Sequence, residues 1–399
     1  MENEPFDKRS MAILAGSHVI NDINQGAVPA LLPFLIAQRG LSYTAATSVV
    51  LAATVISAVV QPLLGYYSDK RSMPWLLPMG LLLGAVGLAL AGLVPSYWMI
   101  IVCVLLNGFG VAAYHPEGYR FANYLARSRP ALGMSIFTVG GNVGFALGPL
   151  LMGLAISAWG LPGTMAVMPT ALLATGVLLW AMPRFARLRP APRASRQVAE
   201  AKSDWSAFAR VTLVIILRAS LYYGMLSFVP SYLIHVRGVP LESAPFALTV
   251  LSISGAVGTL LGGFLADRFG YKRVLMVLLA LITPMLLLFL NAPTQLALLC
   301  VGLVGFATLA TFTIAVVIGQ EYASANLGVA SGITTGLAIG VGGASTPLFG
   351  LVADHFGLTA VFYVLGAMPI LAFVIAATLP GSKRQSQPAP LPQPVPKGA

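Results

Sequence analysis

Three features of the chain could do chemistry in an apolar setting. The first is a polar stripe near the N-terminus: His18, Asn21, Asp22 and Gln25 fall on one face of a helix by the i, i+3, i+4, i+7 rule. Asp22 lies roughly 17 Å from the start of the apolar run that contains it, at about 1.5 Å per residue. A carboxylate at that depth in a hydrocarbon-like medium is costly unless it meets water, a partner or a proton. Proton uptake and release suits it, with His18 one turn away; a purely structural polar cluster tying this helix to a neighbour is the other reading. The second feature is Arg218, followed by Tyr222 and Tyr223 within a later apolar run. Arginine stays ionised in proteins, so it calls for an acid or an anionic ligand. The third is His115, Glu117 and Arg120, an imidazole, an acid and a base within six positions. They are expected at the cytoplasmic end of a helix, either as an interfacial ion pair or as part of gating or proton handling.

The elements that must hold these groups follow from composition. Apolar residues make up 57% of the 399 positions and charged residues 9%, against about 25% charged in a soluble domain. Runs long enough to cross a hydrocarbon core of about 30 Å fall at 11–36, 44–67, 74–94, 97–119, 131–158, 163–182, 209–234, 243–266, 272–291, 295–319, 327–353 and 358–379. The expected fold is therefore an all-α membrane protein of twelve transmembrane helices in two pseudo-symmetric six-helix bundles, 1–182 and 209–379. A polar cytoplasmic linker at 183–208 and a disordered proline-rich tail at 380–399 complete the chain. The first helix is not expected to be a signal peptide: it is too long, and His18 and Asp22 interrupt its apolar region.

The chain repeats itself. Gly65, Asp69, Lys70 and Arg71 return as Gly263, Asp267, Arg268 and Lys272 to Arg273, with the glycine and the acid each 198 positions on, which is the mark of two copies of one unit. The offset carries Arg218 to about position 21, so Asp22 and Arg218 are expected to face one central cavity from the two halves. Cys103 and Cys300, 197 apart, are expected to be packing residues rather than a disulfide.

The net charge of +11 does not point to nucleic acid. Of the 23 Lys and Arg residues, Arg39 and Arg237 fall in odd-numbered loops, Arg218 lies in the middle of a run, and the other 20 lie in the N-terminal tail, the even-numbered loops, the run ends that adjoin them and the C-terminal tail. That bias puts both termini in the cytoplasm. Glycine spacings at Gly140, Gly144 and Gly148, ahead of Pro149, at Gly255, Gly258 and Gly262, and at Gly332 and Gly336 make grooves for close helix approach. The grooves at Gly255–Gly262 and, along the eleventh run, at Gly328, Gly332, Gly336 and Gly340 are expected to meet the opposite half. Glu321 closes the tenth run, where it can pair with basic loop residues.

The repeated loop Gly263-Phe264-Leu265-Ala266-Asp267-Arg268-Phe269-Gly270-Tyr271-Lys272-Arg273 resembles the signature that joins the second and third helices of the major facilitator superfamily. The copy at Gly65 matches it loosely. The resemblance implies that Asp69 and Asp267 latch the halves on the cytoplasmic side. The fifth run, Gly140 to Pro149, resembles that of drug:proton antiporters. The intramembrane arginine usual in the fourth helix of those families is Val104 here. Ser17 to Asp22, Gln61-Pro62, His115-Pro116-Glu117 with Arg120, Gly140-Gly141-Asn142 and Gln320-Glu321 together resemble antibiotic exporters of that superfamily. This implies proton-driven efflux of small anionic or zwitterionic antibiotics, phosphonates among them, by a monomer in the bacterial inner membrane. Proton-coupled uptake of a small organic anion or sugar is the alternative within transport, and a transporter-like sensor is the alternative outside it.

No nucleotide-binding loop, metal-ligand cluster or nucleophile–base pair stands out in the sequence. The expectation is a transporter and not an enzyme, with protons and a small molecule as partners and with neither cofactor nor metal. Alternating access around a midplane site fits two repeat-related halves.

Overall fold

The computed structural model describes residues 7–70, 72–126, 130–185, 203–323 and 327–381. Among these there is no strand, and twelve α-helices run in order: α1 (Lys8–Arg39), α2 (Tyr43–Lys70), α3 (Leu76–Ala91), α4 (Tyr97–Ala126), α5 (Pro130–Trp159), α6 (Val167–Phe185), α7 (Trp205–His235), α8 (Phe246–Phe269), α9 (Tyr271–Asn291), α10 (Thr294–Tyr322), α11 (Leu327–Phe356) and α12 (Leu358–Ala377). A 3₁₀ turn, Leu161–Ala166, precedes α6. Ten of the twelve are long and apolar enough to cross a membrane, and α3 is a shorter apolar helix. Most of the linker (186–202) and most of the tail (382–399) lie outside the described residues, as does Arg71.

The sequence repeat is also a backbone repeat. Asp7 caps α1 by accepting from Ser10 N at 3.0 Å. Asp204, 197 positions later, caps α7 by accepting from Ala207 N at 2.9 Å. Glycines with positive φ recur at nearly the same interval, Gly40 (64°) with Gly238 (67°) 198 positions on and Gly160 (66°) with Gly357 (83°) 197 positions on.

Large apolar side chains stay bare on the outside of the bundle, including Trp98 (73% exposed), Leu173 (71%) and Phe356 (76%). Such a surface is stable only against hydrocarbon.

Which helices the glycine grooves seat is now visible. A Cβ on Gly140, Gly144 or Gly148 would lie 2.7, 2.1 or 2.6 Å from the carbonyl oxygens of Ala15, Val19 and Ile23, so α5 holds the backbone of α1. The α8 groove does not face the opposite half, as the sequence reading had it. Gly258 meets the Phe306 carbonyl, and Gly262 meets Ala310 of α10, a neighbour within the same half. Contacts this tight fix a pair of helices and leave no room for sliding. In α11 the backbone of Gly332 and Gly336 is helical, and farther along Gly340, Gly343 and Gly350 lie against Ala58, Thr54 and Thr44 of α2.

The halves meet at the end of the bundle away from the termini. Asp354, at the close of α11, accepts from Tyr43 N (2.8 Å), Thr44 N (3.0 Å) and Thr44 Oγ1 (2.6 Å). A carboxylate from one half thus caps the first turn of a helix in the other. Beside it Gly153 lies against Pro245, and Thr346 Oγ1 donates to Thr47 O at 3.1 Å.

Candidate functional site

The structure gives Asp22 two imidazoles as partners. His18, one turn earlier on α1, places Nε2 3.3 Å from Asp22 Oδ2. His115 of α4 places Nε2 3.4 Å from Asp22 Oδ1, and the two Nε2 atoms are 3.4 Å apart. Each ring is oriented from behind: His18 Nδ1 donates to Phe137 O at 2.8 Å, and His115 Nδ1 to Val111 O at 2.7 Å. A carbonyl only accepts, so both Nδ1 atoms carry hydrogen, and a neutral ring then turns a bare Nε2 toward Asp22.

The surroundings hold this geometry. His18 stacks on Phe137 with centroids 3.9 Å apart. Asn21 Nδ2 donates to Asp22 Oδ1 at 3.0 Å. Gly141 of α5 leaves the needed space, since a Cβ there would lie 2.5 Å from His18 Cε1 and 2.7 Å from Asp22 Oδ2. All three titratable residues are buried, with 11% of the Asp22 and His115 side chains exposed.

His115 therefore parts company with Glu117 and Arg120, with which the sequence grouped it. The fourth apolar run ends at 119, but α4 continues to Ala126, which sets His115 about 17 Å inside the helix end. Positions 115 and 117 also point to different sides of a helix. Glu117 is fully buried and accepts from Ser68 Oγ (2.9 Å) and Met73 N (2.8 Å), with Arg120 Nη1 at 3.4 Å. Arg120 also donates to Ser68 O. This pair ties α4 to the turn after α2. Asp69 and Lys70 end α2 there, with side chains outside the described set.

The matching turn of the second half is tied within that half. Tyr271 donates to Asp267, Lys272 Nζ to Ala377 O (2.8 Å) and Leu379 O (2.5 Å), and Arg268 lies over Phe269. Glu321 sits partly buried near the close of α10.

Arg218 of α7 is 7% exposed. Its guanidinium lies 4.4 Å over the Phe312 ring and 5.7 Å from the Tyr222 ring, while Nε and Nη1 are buried without a hydrogen-bond partner among the described residues. It makes no ion pair with Asp22 or with any other described carboxylate: the ion-pair partners of Asp22 are the two histidines. Between the halves a cavity of about 30 Å³, room for water, is lined by Gln25, Thr54, Ser57 and Asn107 from the first half and by Tyr223 and Leu226 from α7. Gln25 is one turn from Asp22, and Tyr223 follows Tyr222, so the cavity lies beside both charged sites without being lined by Asp22 or Arg218.

The sequence did not signal His115 as a partner of Asp22. The available hint was the register Asn107, Val111, His115 on one face of α4. Nothing in the sequence singled out Asp354, because no local pattern shows which two helix ends meet.

Comparison with known proteins bears on this site. The signature of the Major Facilitator Superfamily matches residues 14–347. The chain is 32% identical over 385 residues to the uncharacterized MFS-type transporter YfnC of Bacillus subtilis (strain 168), covering 94% of this chain and 93% of that one. It is 30% identical over 365 residues to the fosmidomycin resistance protein of Escherichia coli (strain K12), covering 90% and 89%. A crystal structure of a bacterial homologue of the human lysosomal transporter Spinster, inward-facing and occupied, superimposes with a TM-score of 0.77 at 16% identity, covering 94% of this chain and 96% of that one.

Proposed function

Since this chain belongs to the major facilitator superfamily, we propose that it is a proton-coupled exporter of small anionic or zwitterionic compounds, fosmidomycin and related phosphonates among them, working by alternating access. The reading rests on one observation: a carboxylate with two imidazoles in the first half, and in the second a buried guanidinium whose Nε and Nη1 have no hydrogen-bond partner among the described residues. Isolated charge at that depth is costly, so each needs a counterpart that arrives from outside: a proton for Asp22, His18 and His115, and an anionic group for Arg218 with Tyr222. The name of the Escherichia coli relative, a fosmidomycin resistance protein, supports the direction of export.

In this proposal the units 1–182 and 209–379 rock about the cavity beside Gln25, with Asn21 holding the carboxylate. The Asp69-Lys70-Arg71 and Asp267-Arg268-Lys272 turns latch the halves only in the opposite conformation, since here the second turn is tied within its own half, and Glu117, Arg120 and Glu321 take part in the same gating. The protein works as a monomer in the bacterial inner membrane with both termini in the cytoplasm. One proton crossing 100 mV supplies roughly 2.3 kcal/mol, enough for a gradient of some tens-fold.

The same electrostatics supports a second reading. A proton on the cluster makes the cavity more positive and draws an anion in with it, which couples the two in one direction, as in uptake of a small organic anion.

Proteoliposomes with an imposed pH gradient and fosmidomycin as tracer separate these readings. Export predicts drug moving against the proton flow, and uptake predicts drug moving with it. Asp22→Asn should abolish the response to the gradient and Arg218→Ala should weaken drug binding at least tenfold. If both variants transport like the parent protein, the site assignment fails.

A further inference from the structure

We propose that His18, Asp22 and His115 form a three-ligand site for one divalent transition-metal ion of the zinc or cobalt class. The argument is geometric and does not depend on the transport reading.

A tetrahedral ion with ligand bonds of about 2.05 Å has ligand–ligand edges of about 3.3 Å. The three edges here are 3.3 Å (His18 Nε2 to Asp22 Oδ2), 3.4 Å (His115 Nε2 to Asp22 Oδ1) and 3.4 Å (Nε2 to Nε2). The two edges to Asp22 use different oxygens, so the carboxylate binds through both or turns slightly to use one; the ligand atoms all lie within 4.8 Å of one another. The ligand set, two imidazoles and a carboxylate, is the kind that borderline-soft first-row ions take in preference to magnesium or calcium.

The shell behind the ligands is also of the metal-site kind. Both histidines donate Nδ1–H to backbone carbonyls, Phe137 O at 2.8 Å and Val111 O at 2.7 Å, which aims Nε2 inward and fixes the tautomer that coordinates. Asn21 Nδ2 holds a carboxylate oxygen at 3.0 Å. The missing Cβ of Gly141 keeps space free against His18 Cε1, His18 Nε2 and Asp22 Oδ2. The fourth position is open to water, because Asp22 and His115 each keep 11% of their side-chain surface. Tyr119, 43% exposed, has its ring 6.1 Å from that of His115.

Two ligands come from α1 and one from α4, so a bound ion cross-links these helices and occupies the lone pairs that would otherwise take protons. Its role is that of a brake on the carrier.

The test uses the full chain, purified in detergent and stripped with chelator. Cobalt(II) is added while the visible d–d bands are followed, then displaced with zinc, and bound zinc is counted by elemental analysis. The expected result is one ion per chain with band intensities of a tetrahedral site. His18→Ala, His115→Ala and Asp22→Asn should each bind at least tenfold more weakly, while His235→Ala and His355→Ala, both exposed, should bind as the parent does. Thermal melts of the metal-free variants identify any that fail to fold, and the parent protein decides the matter alone. If the parent takes up no stoichiometric zinc at tenfold excess, or shows only octahedral cobalt, the proposal is overturned. It is also overturned if a folded triple variant binds as tightly as the parent. A transport defect without metal binding would leave the transport reading standing and sink this one.

Discussion

Replacing Asp354 by alanine should loosen the closed end of the molecule. The carboxylate accepts three hydrogen bonds, from Tyr43 N, Thr44 N and Thr44 Oγ1, at 2.6 to 3.0 Å. Losing an N-cap costs about 0.5–2 kcal/mol. Here the cap and the helix belong to different halves, so the loss falls only on the conformation in which the two ends touch. Asp354 is exposed, and water can replace part of what is lost, which places the effect at about 0.5–1 kcal/mol, a shift of roughly two- to fivefold toward the conformation open at that end. Spin labels at the exposed positions Ser96 and Glu242, with Cys103 and Cys300 replaced by alanine, would report the separation of the halves by pulsed electron resonance. The longer-distance population should grow by that factor in Asp354→Ala and by less in Asp354→Asn, which keeps an acceptor. A distance distribution identical to the parent's in Asp354→Ala would refute the reasoning.

Asp22→Asn should leave drug binding within about twofold while proteoliposome flux stops responding to an imposed pH gradient. Arg218→Ala should weaken binding of a phosphonate by roughly 10- to 150-fold, the range for losing a charged hydrogen-bonding partner worth about 1.5–3 kcal/mol, with Arg218→Lys between; equilibrium dialysis with labelled drug measures both. Gly144→Ala puts a Cβ 2.1 Å from the Val19 carbonyl oxygen and should cost about 1–3 kcal/mol of stability. Its melting temperature in detergent should fall, whereas Gly176→Ala, which meets nothing within 4 Å, should melt like the parent. Glu117→Gln should free the turn after α2 by weakening the contacts to Ser68 and Met73, read as faster amide exchange at Met73.

The helices were legible because each is an apolar run long enough to span with few charges in it, and the repeat because the Gly65 and Asp69 turn returns 198 positions later. The His18–Asp22 pair was legible too, since i, i+4 neighbours on a helix touch whatever the fold around them. His115 was not, because its depth depends on α4 continuing through Arg120 to Ala126, a polar stretch that hydropathy assigns to the surface. Nor was the partner of the α8 groove: glycine spacing says that a backbone comes close but not which one. The capping of α2 by Asp354 joins positions about 310 residues apart, and only the docking of the halves brings them together.

The interlock of α1 with the glycine face of α5 bears on how a signal leaves the histidine cluster. Carbonyls of α1 rest where side chains of α5 would otherwise begin, so α1 cannot turn or slip alone to absorb a change of charge at Asp22. Any strain raised there is handed on to α5 as to a splint, and α5 carries it to Gly153, where the first half leans on Pro245 of the second. A proton or a metal ion caught by three side chains would in this way be felt at the end where the two halves touch.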